Sequence, residues 1–353
     1  MGAGVVNCKN KWNSPKENFL VKYNYMKVYY SLKAIKAVLR DIKPSKIALV
    51  SSSYLISNCQ WAISKIIKAT PDKIELIRIP NGETAKEWEV LEKLLIEFIR
   101  ARLDRESLVI AFGGGSVTDL VGFASSIYQR GVRYINIPTT LLAQVDSSIG
   151  GKTAINFLNY KNQIGSFYNP AAVIIDSRFL KTLKKEQTID GFAEIVKAGL
   201  VKDPRILEII KSSNVKIGKS PIKKELILRS IKVKQYFIKR DPKDKNIRQI
   251  LNFGHTIAHA LELKYGLSHG EAVFIGMIEE LKIAEKLKET KPEIRIFLEK
   301  ILNDLGITLP QLRPDWKYIL RDKKIVGDKI NLPVIKKIGK AKIIKVRALT
   351  ILP

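Results

Sequence analysis

Residues Ser107–Asp119 read Ser-Leu-Val-Ile-Ala-Phe-Gly-Gly-Gly-Ser-Val-Thr-Asp. A short apolar run, 107–112, ends in three glycines and passes into small and polar residues that open a helix. That pattern predicts a buried strand, a tight turn and a helix N-terminus. Glycines at Gly113, Gly114 and Gly115 let the backbone approach a ligand. The helix start offers free N–H groups and a positive dipole end to a pyrophosphate. The spacing is not Gly-x-Gly-x-x-Gly, and a purely structural tight turn needs the same glycines. Asp119 suits a hydrogen bond from a ribose or amide, or simply the first helical turn.

Working outward, Lys46–Val50, Lys73–Ile79, Tyr134–Ile137 and Val173–Asp176 are further short apolar runs. Helical patterns lie between them near Ser57–Ala69 and over Trp88–Ala101, and Pro80–Lys86 reads as a turn. Strands alternating with helices imply a parallel sheet covered on both faces. Residues 1–177 are therefore expected to form an α/β domain of Rossmann-like, nucleotide-binding type. From Arg178 the texture changes to long apolar i, i+3, i+4 patterns: Thr188–Lys202, Ile222–Lys239, Ile250–Lys264, Glu271–Leu287 and Glu293–Leu305. Residues 178–353 are expected to form an all-α metal- and substrate-binding domain, with short strands at Lys329–Ile335 and Ala341–Leu352. The site is expected in a cleft between the two.

The chain has 353 residues, 46% of them hydrophobic, enough for a large core. No apolar run approaches the roughly 20 residues that span a bilayer, and the N-terminus has no signal-peptide core. Cys8 and Cys59 make neither a disulfide framework nor a metal spacing, which suits a reducing cytoplasm. Any metal site must draw on His and carboxylate. The net charge of +28 is spread along the chain without a nucleic-acid motif. It reads as a solvated surface, heat adaptation, and a local pocket for an anionic substrate.

Chemistry-bearing residues concentrate in two places. Tyr128–Asn162 holds Arg130, Thr139, Thr140, Asp146, Gly150-Gly151-Lys152 and Lys161-Asn162, read as a functional loop between strands. All three histidines, His255, His259 and His269, fall within fifteen residues. His255 and His259 are four apart and so share a helix face, a spacing that can grip one ion. Ser268-His269-Gly270-Glu271 reads as a turn opening the next helix. Glu194 and Lys197, one helical turn apart, read in isolation as an exposed ion pair. Lys234 and Arg248 stand upstream of the histidines.

Gly-Gly-Gly-Ser-Val-Thr-Asp-Leu-Val-Gly-Phe (113–123), Pro-Thr-Thr-Leu-Leu-Ala-Gln-Val-Asp-Ser-Ser-Ile-Gly-Gly-Lys-Thr (138–153), Gly-Phe-Ala-Glu-Ile-Val-Lys (191–197), Leu-Asn-Phe-Gly-His-Thr-Ile-Ala-His-Ala-Leu-Glu (251–262) and Ser-His-Gly-Glu (268–271) follow in order. Together they resemble the 3-dehydroquinate synthase family of sugar-phosphate cyclases over roughly residues 75–280. The resemblance implies one site between an NAD-binding domain and a helical domain holding zinc, with cobalt as a substitute. It implies Glu194, His255 and His269 as metal ligands, and His259 as a substrate contact and proton relay. NAD would meet Gly114 and Gly115 at its pyrophosphate, with Glu83, Lys86, Asp119, Thr139, Thr140, Lys152, Lys161 and Thr182 nearby. Asp146, Lys152, Asn162, Lys197, Lys234, Arg248 and Asn252 would meet an anionic sugar phosphate. Arg130 would reach the phosphate of the neighbouring subunit's substrate in a homodimer, and a C-terminal lysine, Lys337 or Lys340, would also meet phosphate. The implied reaction turns 3-deoxy-D-arabino-heptulosonate 7-phosphate into 3-dehydroquinate. Related cyclases and NAD-dependent polyol or glycerol-phosphate dehydrogenases are the alternatives; nucleic acid and membrane are not expected partners. The chain departs from the family at Val50–Ser53, which lacks an Asp for the adenosine ribose, and at Asp241–Asp244.

Overall fold

The computed structural model describes residues 20–23, 26–70, 74–158, 160–312, 325–326 and 329–347. Cys8 and the end of the expected strand Ala341–Leu352 lie outside them. The N-terminal half is built on strands β1 (Leu20–Tyr23), β2 (Met26–Tyr29), β3 (Ile47–Ser52), β4 (Ile74–Ile79), β5 (Leu108–Gly113), β6 (Arg133–Pro138) and, beyond a hairpin of β7 (Lys152–Phe157) and β8 (Tyr160–Phe167), β9 (Ala172–Ile174). The main sheet runs β1-β2-β9-β6-β5-β3-β4 and is parallel except for the edge pair β1–β2.

Every residue of β3 and β5 is buried, as near-continuous apolar runs in a parallel sheet require. Alternate side chains feed opposite cores. Leu49, Ile110 and Phe112 face helices α1 (Ile35–Ile42), α2 (Ser53–Asn58) and α3 (Gln60–Ile67). Val50, Val109 and Ala111 face α4 (Trp88–Arg100) and α5 (Gly115–Ile127). On α4 the buried set Val90, Leu91, Leu94 and Phe98 forms one stripe at helical spacing. Truncating the fully buried Phe98 to Ala would cost about 3–5 kcal/mol.

The C-terminal half is helical: α6 (Lys185–Val201), α7 (Arg205–Ser212), α8 (Lys224–Arg240), α9 (His255–Tyr265), α10 (His269–Lys286) and α11 (Pro292–Leu305). The tail adds a small antiparallel sheet of β10 (Ile325–Val326), β11 (Lys329–Lys337) and β12 (Lys340–Arg347). One core joins the halves, running from Val28 and Val173 through Leu141 and Val145 to Phe192, Phe237 and Phe274. Among the described residues no helix is long and apolar enough to cross a membrane.

Two expectations need correction. The stretch read as a loop between strands is ordered: a π-helical turn, Ala143–Ser147, precedes the β7–β8 hairpin, which packs on α5. A Cβ on Gly122 of α5 would come 2.4 Å from Thr153 Cγ2, so the glycine permits that approach. The single helix expected over Ile250–Lys264 is broken into a 3-10 turn, Ile247–Asn252, and α9. Gly254 makes the break at φ 83°, where a Cβ would strike Met277 Cγ at 2.7 Å and the Val273 carbonyl oxygen at 2.8 Å.

Candidate active site

Strand β3 leads outward to β4 and β5 leads the other way to β6, so the carboxyl ends of β3 and β5 flank the switch point of the sheet. There the chain turns through Gly113 and Gly114 into α5, whose N-cap Gly114 offers no side chain to its first N–H groups. A Cβ on Gly114 would lie 3.0 Å from Thr140 Cγ2, and one on Gly115 would lie 3.0 Å from Ser147 Oγ. Ser147 Oγ is buried without a hydrogen-bond partner. A cradle of free N–H groups, kept open by glycine and lined by an orphan hydroxyl, fits a dinucleotide's pyrophosphate. Lys86, 3% exposed, donates to Asp119 Oδ2 at 2.6 Å and to Asn162. Burial holds the Asp119 carboxyl above its ordinary value despite the Lys86 ammonium. Glu83 accepts from Ser116 at 3.1 Å and Asn156 at 2.8 Å. Ser51 and Ser52 at the end of β3 are fully buried, with Ser51 donating to the Phe112 carbonyl at 2.7 Å.

The three residues that could hold a metal come from three helices. Ser268 and Glu271 form a reciprocal capping box that starts α10 at His269. Asp190, one turn before Glu194 on α6, accepts from the Gly270 N–H at 2.7 Å and fixes that helix start against α6. The fully buried Glu280 accepts from Gly254 N at 2.9 Å and Thr256 N at 3.2 Å, anchoring the start of α9. One ligand atom each from Glu194, His255 and His269 thereby lies within 4.8 Å of the others. Two imidazoles and one carboxylate, mutually adjacent and partly shielded from water, suit zinc or cobalt with a position left for substrate. His259 is not in this set; its ring stands 5.8 Å from that of His255, at 88°. Burial opposes a charged His269, yet its hydrogen bonds to Glu194 and Glu262 outweigh that and raise it to about 10 in the metal-free chain. A metal must therefore displace a proton.

Beside the triad lies a buried cluster dominated by positive charge. Lys197, Lys234 and Arg248 are 3%, 8% and 3% exposed. Lys197 pairs with Glu194, and Lys234 donates to Asp146 Oδ1 at 2.6 Å and to the Asp146 carbonyl at 2.7 Å. Burial works against the Asp146 charge, but Lys234 and Lys197 hold its carboxyl down at about 2. Burial pushes the Lys234 ammonium below its ordinary value, with Arg248 adding to it against the pull of Asp146. Such an excess of desolvated cations favours an anionic ligand. A small cavity opens between Asp146, Glu194, Lys197, Ser230 and Lys234.

The structure thus gathers most of the expected residues and separates a few. Glu194 and Lys197, read in isolation as an exposed pair, are buried instead because α8 and the π-helical turn cover that face of α6. Thr139 is buried on the Gly113 carbonyl, and Thr182 lies exposed after β9. Lys152 pairs with Asp244, whose second oxygen is buried and unpartnered. Asn252 is half-buried just before the Gly254 break. Lys161 pairs with Glu262 at 2.9 Å, a partner the sequence reading did not anticipate. Lys337 and Lys340 face solvent across a hairpin turn that docks on the Leu200 carbonyl at the end of α6. Arg130 stands exposed at φ 65°, three residues beyond the far end of α5, a helix roughly 20 Å long that begins at Gly115. Sequence reasoning missed Ser147, Asn156, Asp190, Glu262 and Glu280. The capping box alone signalled that the start of α10 was being held.

The fold is shared with sugar-phosphate cyclases and metal-containing alcohol dehydrogenases of solved structure. A solved structure of 2-deoxy-scyllo-inosose synthase, complexed with carbaglucose-6-phosphate, NAD+ and Co2+, superposes with a TM-score of 0.83 at 25% identity, covering 95% of this chain and 98% of that one. A 2-epi-5-epi-valiolone synthase from Streptomyces hygroscopicus subsp. jinggangensis, with NAD+ and Zn2+ bound, gives 0.81 at 23% identity over 97% of each chain and shares the fold. Residues 76–190 match the 3-dehydroquinate synthase N-terminal family and residues 191–325 the C-terminal one. A 3-dehydroquinate synthase from Dictyoglomus thermophilum is 42% identical over 76% of this chain and 78% of its own. The chain belongs to the 3-dehydroquinate synthase family, a family of enzymes.

Proposed function

We propose that the chain converts 3-deoxy-D-arabino-heptulosonate 7-phosphate to 3-dehydroquinate and phosphate, with NAD and zinc, or cobalt in its place, as resident groups. The observation that carries this reading is the buried cationic cluster of Lys197, Lys234 and Arg248 directly beside the Glu194–His255–His269 triad. A dehydrogenase acting on a neutral polyol has no use for three desolvated cations; a substrate bearing phosphate and carboxylate does. When bound, NAD supplies a reversible hydride acceptor and the metal a Lewis acid.

The chain's residues then divide the remaining work. Glu194, His255 and His269 hold the metal. Gly114 and Gly115 admit the pyrophosphate, with Glu83, Lys86, Asp119, Thr139, Thr140, Lys161 and Thr182 around the rest of NAD. Arg248, Lys197 and Lys234 bind the anionic groups, and Asp146 keeps Lys234 oriented. Lys152, Asn162 and Asn252 hydrogen-bond substrate oxygens. His259, outside the metal set, takes a hydroxyl proton at a ring nitrogen and returns it after reduction.

The working form is a homodimer in the cytoplasm. Arg130 lies too far from its own Gly turn to serve it, and exposed Ile127, Tyr160 and Phe167 on the same half offer apolar surface to a second copy. The test is product identification: the heptulosonate phosphate should yield 3-dehydroquinate, and no turnover of it beside cyclisation of another sugar phosphate would overturn the assignment.

A further inference from the structure

Glu262 has no part in the reaction just described, yet it is a carboxylate held in the cleft with its side chain 8% exposed. It stands two turns along α9 from His255, on the face that looks toward the start of α10. Both of its oxygens are engaged. Glu262 Oε1 lies 3.1 Å from His269 Nδ1, and Oε2 accepts from Lys161 Nζ at 2.9 Å. On its other side, His269 Nε2 points at Glu194 Oε1, 3.3 Å away.

We propose that Glu262 is a positioning residue for the metal ligand His269, and that Lys161 holds Glu262 in place from the hairpin of the nucleotide half. An imidazole binds a metal through one nitrogen only if the other carries the proton. A carboxylate on Nδ1 fixes that tautomer, turns the lone pair of Nε2 into the site, and makes it more basic. Lys161 belongs to β8, 101 residues from Glu262, and its half-exposed side chain donates to the outer carboxylate oxygen. The strength of the metal site is thus set in part by a strand of the opposite half. The proposal rests on the metal reading given above.

The test is zinc affinity of the full-length, metal-stripped chain, measured by competition with a chromophoric chelator in the absence of NAD and substrate. Glu262→Ala should weaken zinc binding about 10- to 100-fold, and the isosteric Glu262→Gln about 10-fold. Lys161→Met should cost a smaller factor, about twofold to fivefold. In the Glu262→Gln background Lys161→Met should cost nothing more, because its partner is gone. A purely structural bridge would lower the melting temperature but leave zinc affinity unchanged. Folded Glu262→Gln that binds zinc within about twofold of the parent would overturn the role of Glu262. An unchanged Lys161→Met beside a weakened Glu262→Gln would overturn the role of Lys161. A parent chain with no zinc affinity would refute the metal reading itself, and the proposal with it.

Discussion

Glu194 and Lys197, one turn apart on α6, form an ion pair in which each side chain is only 4% exposed. Glu194 also faces both His255 and His269, at 3.6 and 3.3 Å. One carboxylate therefore joins the proposed metal-ligating set to the cationic cluster. Removing the lysine leaves a buried carboxylate that only His269 and an incoming metal can compensate. Lys197→Met should destabilise the metal-free chain by about 3 kcal/mol, and added zinc should restore much of that. Denaturant unfolding with and without zinc checks both.

Loss of either imidazole of the triad should weaken zinc binding by more than the ~100-fold that an outer partner can cost. His269→Ala and His255→Ala should both behave so. His259→Ala should keep its zinc and lose turnover. Equilibrium dialysis of the three variants distinguishes this from the pairing of His255 with His259, in which His259→Ala would lose the metal.

The Asp146 carboxyl sits at about 2 in the folded chain, held down by Lys234 and Lys197 against burial. Its folded value is below its unfolded one. The stability it contributes is therefore fully present above about pH 4 and is lost as pH falls through 4 toward 2. With the side chain 31% exposed, that contribution is of the order of 1 kcal/mol. Asp146→Asn should flatten the acid limb of stability over that interval. An unchanged slope between pH 4 and 2 would contradict the assignment.

The glycine turn separates binding from folding. A methyl at Gly113 would meet Val117 Cγ2 at 2.5 Å inside the sheet–helix contact. Gly113→Ala should therefore cost about 1–3 kcal/mol of stability. A methyl at Gly114, where φ is −75°, meets nothing nearer than Thr140 Cγ2 at 3.0 Å but fills the cradle. Gly114→Ala should melt near the parent temperature while binding NAD at least about 10-fold more weakly. Calorimetric titration with NAD, paired with thermal unfolding, reads both.

What the chain reveals before folding is local. The Gly113–Gly115 turn and the Ser268/Glu271 capping box are short-range patterns, and the parallel sheet follows from unbroken apolar runs. The rest depends on what packs across. Lys152–Phe167 alternates poorly and carries Gly165, so its hairpin is set by the contact between Thr153 and Gly122. Apolar periodicity runs straight through Phe253-Gly254, where Gly254 breaks the helix at φ 83° under the close approach of α10. Lys197 and Glu262 look like solvent-facing helix residues, and each is buried by an element far away in the chain. A spacing rule pairs His255 with His259, whereas the fold brings in Glu194 and His269 from other helices.

On the proposed function, one cleft oxidises, eliminates and reduces within a single turnover. Purified protein given NAD, zinc and the heptulosonate phosphate should release phosphate and 3-dehydroquinate in equal amounts with no net NADH. A chelator should stop the reaction and zinc should restore it. Steady accumulation of NADH without phosphate release would contradict the account.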